Sequence, residues 1–250
     1  MCSRCGDALT APDAVSSPTC RVCRLAPPVF VRAISYGPYE GRMRDAIHAL
    51  KYMGLRAAGR PLGNMLAKAL AELAATAPAE MLVVPVPLHH SKQAERGFNQ
   101  SRLLASFALA ALRRTNPAWR LKLAPATLLR LRATANQASL TPRQRRNNVR
   151  GAFRVADPEV VRSKNILVID DIFTTGATAR SVAQELGRAG AASVWVATLS
   201  RARLYFGQGH VASAGGAKDM GVGYGRPAGQ EASQALSATT HSSSRQPSSF

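Results

Sequence analysis

Long apolar runs are absent from this sequence of 250 residues. None approaches the roughly 20 residues that a membrane-spanning helix needs, and no membrane insertion is expected. Acidic residues are scarce, 14 Asp+Glu against 33 Lys+Arg, leaving a formal net charge of +19. All but one of those charges fall before residue 207. Such a surface attracts polyphosphates and nucleic acids, although arginine used simply to fill solvated positions gives the same total. Aromatic residues amount to only 6%, too few for a platform that stacks successive bases, so a nucleic acid would be held through its phosphates. The start, MCSRCGDALT, lacks a basic segment followed by an apolar stretch. That argues against a secretory signal and for a cytoplasmic protein. No G-x-x-x-x-G-K-[ST] loop occurs, which excludes the common nucleotide-triphosphate cradle, and no internal repeat is visible.

Cysteine is absent beyond residue 23. The four present, Cys2, Cys5, Cys20 and Cys23, have the spacing C-x2-C-x14-C-x2-C. Each pair places two thiolates on a tight turn, and two such turns make a tetrahedral site suited to zinc. Disulfides would need an oxidising compartment, and a redox C-x-x-C pair needs only one such turn. Four cysteines leave no open coordination position, so the expected zinc is structural. Residues 1–24 are thus expected to form a four-cysteine zinc ribbon whose folding energy comes from the metal.

The rest reads as strands alternating with helices. VFVRAISYG (29–37), MLVVPVP (81–87), residues 166–170 and SVWVATLS (193–200) are predicted strands, with a shorter one at GAFRV. Met43, Ala46, Ile47 and Leu50 recur at helical spacing, as do Ala179, Val182, Ala183 and Leu186; residues 62–75 and 99–114 are the other predicted helices. Alternation of this kind predicts an α/β fold, a parallel sheet with helices on both faces, over 29–206. From 207 to 250 the chain is Ser, Gly, Ala and Gln with little apolar patterning, and a disordered low-complexity tail is expected.

The most informative stretch is NILVIDDIFTTGATARS, residues 165–181. An apolar strand ends in Asp170 and Asp171, at the carboxyl end where open parallel sheets bind ligands. The turn Thr174-Thr175-Gly176-Ala177-Thr178 then offers successive backbone N–H groups, hydroxyls and a helix N-terminus, a cradle for a phosphate monoester. Carboxylates beside it suit a sugar diol. Phosphate and diol together describe a ribose 5-phosphate. A strand-to-helix turn without a ligand would gain nothing from two adjacent like charges.

ILVIDDIFTTGAT resembles the phosphoribosyl pyrophosphate (PRPP) signature of type I phosphoribosyltransferases. With the paired cysteines, ALKYMG (49–54), VPVPLHHSKQAERGFNQS (84–101) and RATANQASLTPRQRRNNVRGAF (132–153), the chain as a whole resembles the competence protein F (ComF, also GntX-like) family of that superfamily. The resemblance implies a type I phosphoribosyltransferase-like sheet that binds PRPP with magnesium. It implies that Asp170 and Asp171 hold the ribose diol, as the catalytic pair if transfer occurs, and that Thr174, Thr175, Gly176, Ala177 and Thr178 wrap the 5-phosphate. For the pyrophosphate and a closing hood it points to Lys92, Arg96, Asn99 and Arg145, with Thr134, Gln137 and Asn148 also matching the pattern. Lys51 is either a site residue or a helix lysine reaching to solvent; His89 and His90 read as hydrogen-bonding loop residues.

The implied role is in natural transformation, where family members help bring in single-stranded DNA, with that DNA and a competence helicase as further partners. Two readings stay open: a PRPP-binding protein of DNA uptake, with or without catalysis, and a true PRPP-dependent phosphoribosyltransferase of nucleotide salvage or base metabolism. No acceptor pocket is legible.

Overall fold

The computed structural model describes residues 1–9, 17–133, 144 and 148–202; the expected tail and the hood positions Thr134, Gln137 and Arg145 lie outside them. In chain order the elements are α1 (Arg21–Leu25), β1 (Ala33–Pro38), α2 (Gly41–Tyr52), α3 (Gly59–Ala74), β2 (Glu80–Pro85), α4 (His90–Arg96) and α5 (Gln100–Thr115). There follow β3 (Arg120–Leu123), β4 (Leu128–Arg130), β5 (Phe153–Val155), α6 (Pro158–Val161), β6 (Asn165–Phe173), α7 (Ala177–Arg188) and β7 (Ser193–Arg201). The principal sheet runs β1-β7-β6-β2-β3 and every pairing in it is parallel. β4 and β5 form a separate antiparallel ribbon.

Buried strands in such a sheet are apolar on both faces, and the alternation along β6 sorts its side chains. Leu167 and Ile169 join Leu50, Leu66, Leu104 and Leu109, which α2, α3 and α5 contribute to one face. Ile166 and Val168 join Val182, Ala183 and Leu186 of α7, Phe153 and Val155 of the ribbon, and all four cysteines on the other. The expected two-sided α/β sheet is therefore what forms. The close approach of α3 and α5 requires a glycine: a Cβ on Gly63 would collide with Cβ of Phe107.

Two strand boundaries that differ from expectation bear on the site. β1 begins at Ala33 rather than at Val29, because the segment before it leads in from the cysteine turns, with the Ala33 amide donating to the Arg4 carbonyl at 2.7 Å. β6 continues past the aspartates to Phe173, because β7 supplies partners as far as Arg201 (Ile172↔Ser200, Phe173↔Arg201). On its other edge β6 loses its neighbour at Ile169, the last residue paired with β2. β2 leads outward to β3, whereas β6 leads the opposite way to β7. The gap between the carboxyl ends of β2 and β6 is thus the switch point of the sheet, where ligands of open α/β folds bind.

Candidate functional site

Asp170 and Asp171 stand at that switch point, and the two-residue period of the strand separates them. Asp170 faces the side of Ile166 and Val168 and lines a hollow together with Thr174, Gly176, Ala177 and Thr178. Its Oδ1 accepts from the Ser101 hydroxyl at 3.1 Å and from the Asp171 amide at 2.9 Å. Asp171 points to the opposite side, 5% exposed, with Lys51 Nζ of α2 donating to its Oδ1 at 2.8 Å. The other oxygen of Asp171 is buried and has no hydrogen-bond partner. Burial first, then the charge of Asp171, pushes the Asp170 carboxyl up to about 7; Lys51 and the two donated hydrogen bonds only partly offset this. Burial alone would lower the Lys51 pKa, but the two aspartates outweigh it and hold the amine above its usual range.

The turn that follows is built around Gly176. Its φ of +73° is left-handed, and a Cβ there would lie 2.6 Å from Cζ of Phe173. No other residue type fits that position without displacing the ring. Thr175 Oγ1 accepts from the Ala177 amide at 3.4 Å, closing the turn onto the first turn of α7. The enclosed part of the hollow measures about 10 Å³, room for roughly one water, so a phosphate would sit at its mouth, against the turn.

The other expected site residues divide. Lys92 is more than half exposed and paired with Glu95 at 2.7 Å, so it faces solvent. Arg96 donates to Gln100 Oε1 at 2.6 Å and lies over the Tyr52 ring at 5.6 Å. Asn99 caps α5 by accepting from the Arg102 amide at 3.1 Å, and its Nδ2 donates to the Val86 carbonyl at 3.0 Å, fastening α5 to the end of β2. Beside them opens a groove of about 830 Å³ lined by Arg56, Asn99, Arg102 and Arg130. Among the described residues none of those lining it is acidic. Arg130 is near enough to the aspartates for the Asp170 charge to act on it.

Of two further residues here, the sequence left one open and the other was passed over. Lys51 is no solvent-reaching lysine but one half of a buried ion pair. Ser101 was missed altogether, although a serine at a core-facing position of α5, fully buried among Leu104, Ala105 and Ala108, is the kind of misplaced polar residue that signals a partner.

The four cysteines come together. Their Sγ atoms all lie within 4.8 Å of one another, all buried, and none is in a disulfide. Cys5 and Cys20 Sγ are 3.7 Å apart, against about 3.8 Å for the edge of a tetrahedron with 2.3 Å metal–sulfur bonds. Burial pushes the Cys5 thiol up to about 11 and raises Cys23 as well. At Cys2 burial acts the same way but is outweighed by the backbone amides of Cys5, Cys20 and Arg4, which bring it down to about 7. A divalent cation would hold all four as thiolates; the cluster fits a metal ion such as zinc.

No family model matches the chain. It is 33% identical over 203 residues to the DNA utilization protein YhgH of Salmonella typhi, covering 80% of this chain and 84% of that protein. The chain belongs to the ComF/YhgH family. The YhgH protein of Escherichia coli is 32% identical with the same coverage. Competence protein F of Haemophilus influenzae is 26% identical over 204 residues, covering 80% and 84% of the two chains. Among solved structures, a purine phosphoribosyltransferase from Pyrococcus horikoshii matches 56% of this chain and 74% of its own at 17% identity. Its TM-score is 0.28, a likeness too slight to build on. In the described part of this ComF/YhgH member no helix is long and apolar enough to cross a membrane.

Proposed function

We propose that this ComF/YhgH protein binds PRPP at the carboxyl end of β6 and uses that site in the cytoplasmic handling of incoming single-stranded DNA. The observation that carries the first half is Asp170 sharing one hollow with the 174–178 turn at the switch point of the sheet. The signature ILVIDDIFTTGAT supports the same ligand. Asp170 takes the ribose hydroxyls, with Asp171 and Lys51 behind it, and the turn with the α7 N-terminus takes the 5-phosphate. Magnesium, arriving on the pyrophosphate, would neutralise its charge. The role in DNA rests on the names of the relatives and on the acid-free arginine groove beside the site. Zinc holds the four cysteines together.

Calorimetric titration with PRPP and magnesium tests the ligand. A carboxylate that accepts from ligand hydroxyls contributes about 1.5–3 kcal/mol per hydrogen bond, so Asp170→Asn should weaken binding by about 10- to 150-fold. Undiminished affinity in that variant would refute the assignment. Because the hydroxyls donate to the ionised form, wild-type affinity should rise as pH passes about 7.

The stability change has the opposite sign. The folded pKa of Asp170 is raised, so its stabilising contribution is complete below its unfolded pKa of about 4 and is lost as pH rises to about 7. Asp170→Asn lacks this loss and should unfold at higher urea than the wild type at pH 8.

The DNA half has its own test. Binding of a short single-stranded oligonucleotide should fall steeply with salt, and Arg102→Ala should reduce the log–log slope by about 0.7. Affinity insensitive to salt would exclude the groove as a phosphate track.

A further inference from the structure

One side chain touches both the cysteine cluster and the support of the ligand turn. Arg201, the last residue of β7, sits where that strand pairs with β1 at Pro38 and with β6 at Phe173. Its side chain is only 12% exposed. On one side Nη1 donates to the Cys5 carbonyl at 2.6 Å, Nε donates to Asp7 Oδ1 at 3.3 Å, and Nη2 lies 3.6 Å from Cys5 Sγ. On the other side the guanidinium carbon lies 4.5 Å over the Phe173 ring.

Phe173 is itself clamped. It is 5% exposed, meets Phe30 edge-to-face at 6.2 Å, and fills the space in which a side chain at position 176 would sit. It also lines the hollow shared by Asp170 and the turn. An uninterrupted series of contacts thus leads from Cys5 through Arg201 and Phe173 to Gly176.

The forked guanidinium matters because all three of its nitrogens contact the cysteine turn while its flat face rests on the ring. If the cysteine turn relaxes, the Cys5 carbonyl and Asp7 move, the guanidinium loses what orients it, and the ring loses its upper contact. Gly176 itself has no side chain, and the ring occupies the space beside it.

We propose that Arg201 and Phe173 are positioning residues for the 174–178 turn, through which occupancy of the cysteine cluster by zinc and affinity of the turn for a ribose phosphate are coupled. This rests on the reading of the turn given above, and it adds that the four-cysteine unit tunes the ligand site as well as completing the fold. By linkage, the coupling must be reciprocal: whatever factor zinc contributes to ribose phosphate affinity, ribose phosphate contributes to zinc affinity.

Hydrogen exchange on the full chain tests the relay without any ligand. Removing zinc with a chelator should speed exchange of the amides of 174–178 in the wild type by about tenfold or more, while the centres of β6 and β7 stay protected. In Arg201→Lys, which keeps the charge but loses the fork, and in Phe173→Leu, those amides should already exchange fast with zinc bound and change little on chelation. Unchanged exchange at 174–178 in the wild type, or a rise spread evenly through β6 and β7, would overturn the proposal. So would a full wild-type response in Arg201→Lys.

Calorimetry with ribose 5-phosphate then measures the coupling. Zinc removal should weaken wild-type binding by about fivefold or more and leave Arg201→Lys almost unaffected, and saturating ribose 5-phosphate should tighten zinc by the same factor in competition with a metallochromic chelator. Equal affinity with and without zinc overturns the coupling. A zinc-loaded wild type that binds no ribose 5-phosphate but shows the exchange response would refute the reading of the turn as a phosphate cradle and leave the positioning roles supported.

Discussion

Lys51→Met should cost about 3–5 kcal/mol of folding stability, the usual result of removing one partner of a buried ion pair. The Lys51 and Asp171 side chains are 17% and 6% exposed, and the second oxygen of Asp171 already has no partner. Taking away the amine therefore leaves a whole carboxylate in a low-dielectric site with nothing to balance it. Methionine keeps most of the volume of the lysine stem, so the packing of α2 against β6 is preserved and the loss reports the charge. Urea unfolding at neutral pH measures it as a lower midpoint with an unchanged slope. The companion variant Lys51→Met/Asp171→Leu should recover most of the loss, since an apolar pair of similar size is often as stable as the ion pair it replaces. The difference between single and double variants gives the coupling directly. A single variant within 1 kcal/mol of the wild type would mean that Asp171 is served by another group or by solvent.

The pair also has an alkaline signature. The Lys51 pKa is raised in the fold, chiefly by Asp171 against the opposing effect of burial. Its stabilising contribution is therefore complete below the unfolded lysine value of about 10.4 and is lost as pH rises through the folded value. Lys51→Met should lack that alkaline limb.

Much of this was legible in the sequence, and the reasons are specific. The strand Ile166–Ile169 is apolar on both faces because helices cover both, and that uninterrupted run distinguishes a central parallel strand from a half-exposed one. α7 showed itself through Ala179, Val182, Ala183 and Leu186, all facing the sheet. Five short elements were not legible: α1, α4, α6, β3 and β4 each span seven residues or fewer and lack the apolar runs that marked β1 and β2. The cysteine cluster could be read from spacing because metal ligation leaves little else for two C-x2-C turns to do. The separation of Asp170 from Asp171 follows from β6 continuing to Phe173, which depends on the length of β7 rather than on the local sequence. Lys51 and Arg201 reach their partners, Asp171 and Asp7 with Cys5, across 120 and about 195 positions of chain. Contacts at that range carry no local pattern.

Loss of metal from the cysteine cluster should destabilise this molecule about as much as removal of the Lys51 amine. Structural zinc contributes about 10–16 kcal/mol in isolated zinc-finger peptides, which have no other core. In this chain the cysteines lie in the same buried cluster as Val168, Val182, Leu186 and Val196, so the sheet retains a core of its own and only part of that energy is at stake. Cys20→Ser, or treatment with a strong chelator, should release one zinc per chain by elemental analysis. It should also lower the melting temperature by about 10 °C, the shift expected when a domain of this size loses roughly 3–5 kcal/mol. The damage should begin at the edge where the cysteine turn meets β1. The Arg4 carbonyl that receives the Ala33 amide and the Cys5 carbonyl that receives Arg201 both belong to that turn, so its loss frees the first residue of β1 and the last of β7 together. Early protease cleavage should accordingly fall within residues 17–32, with β6 and β7 surviving as a resistant fragment. A folded protein that contains no zinc, or one whose melting temperature ignores chelation, would show that the four thiols pack as an ordinary buried cluster and that metal contributes nothing to this fold.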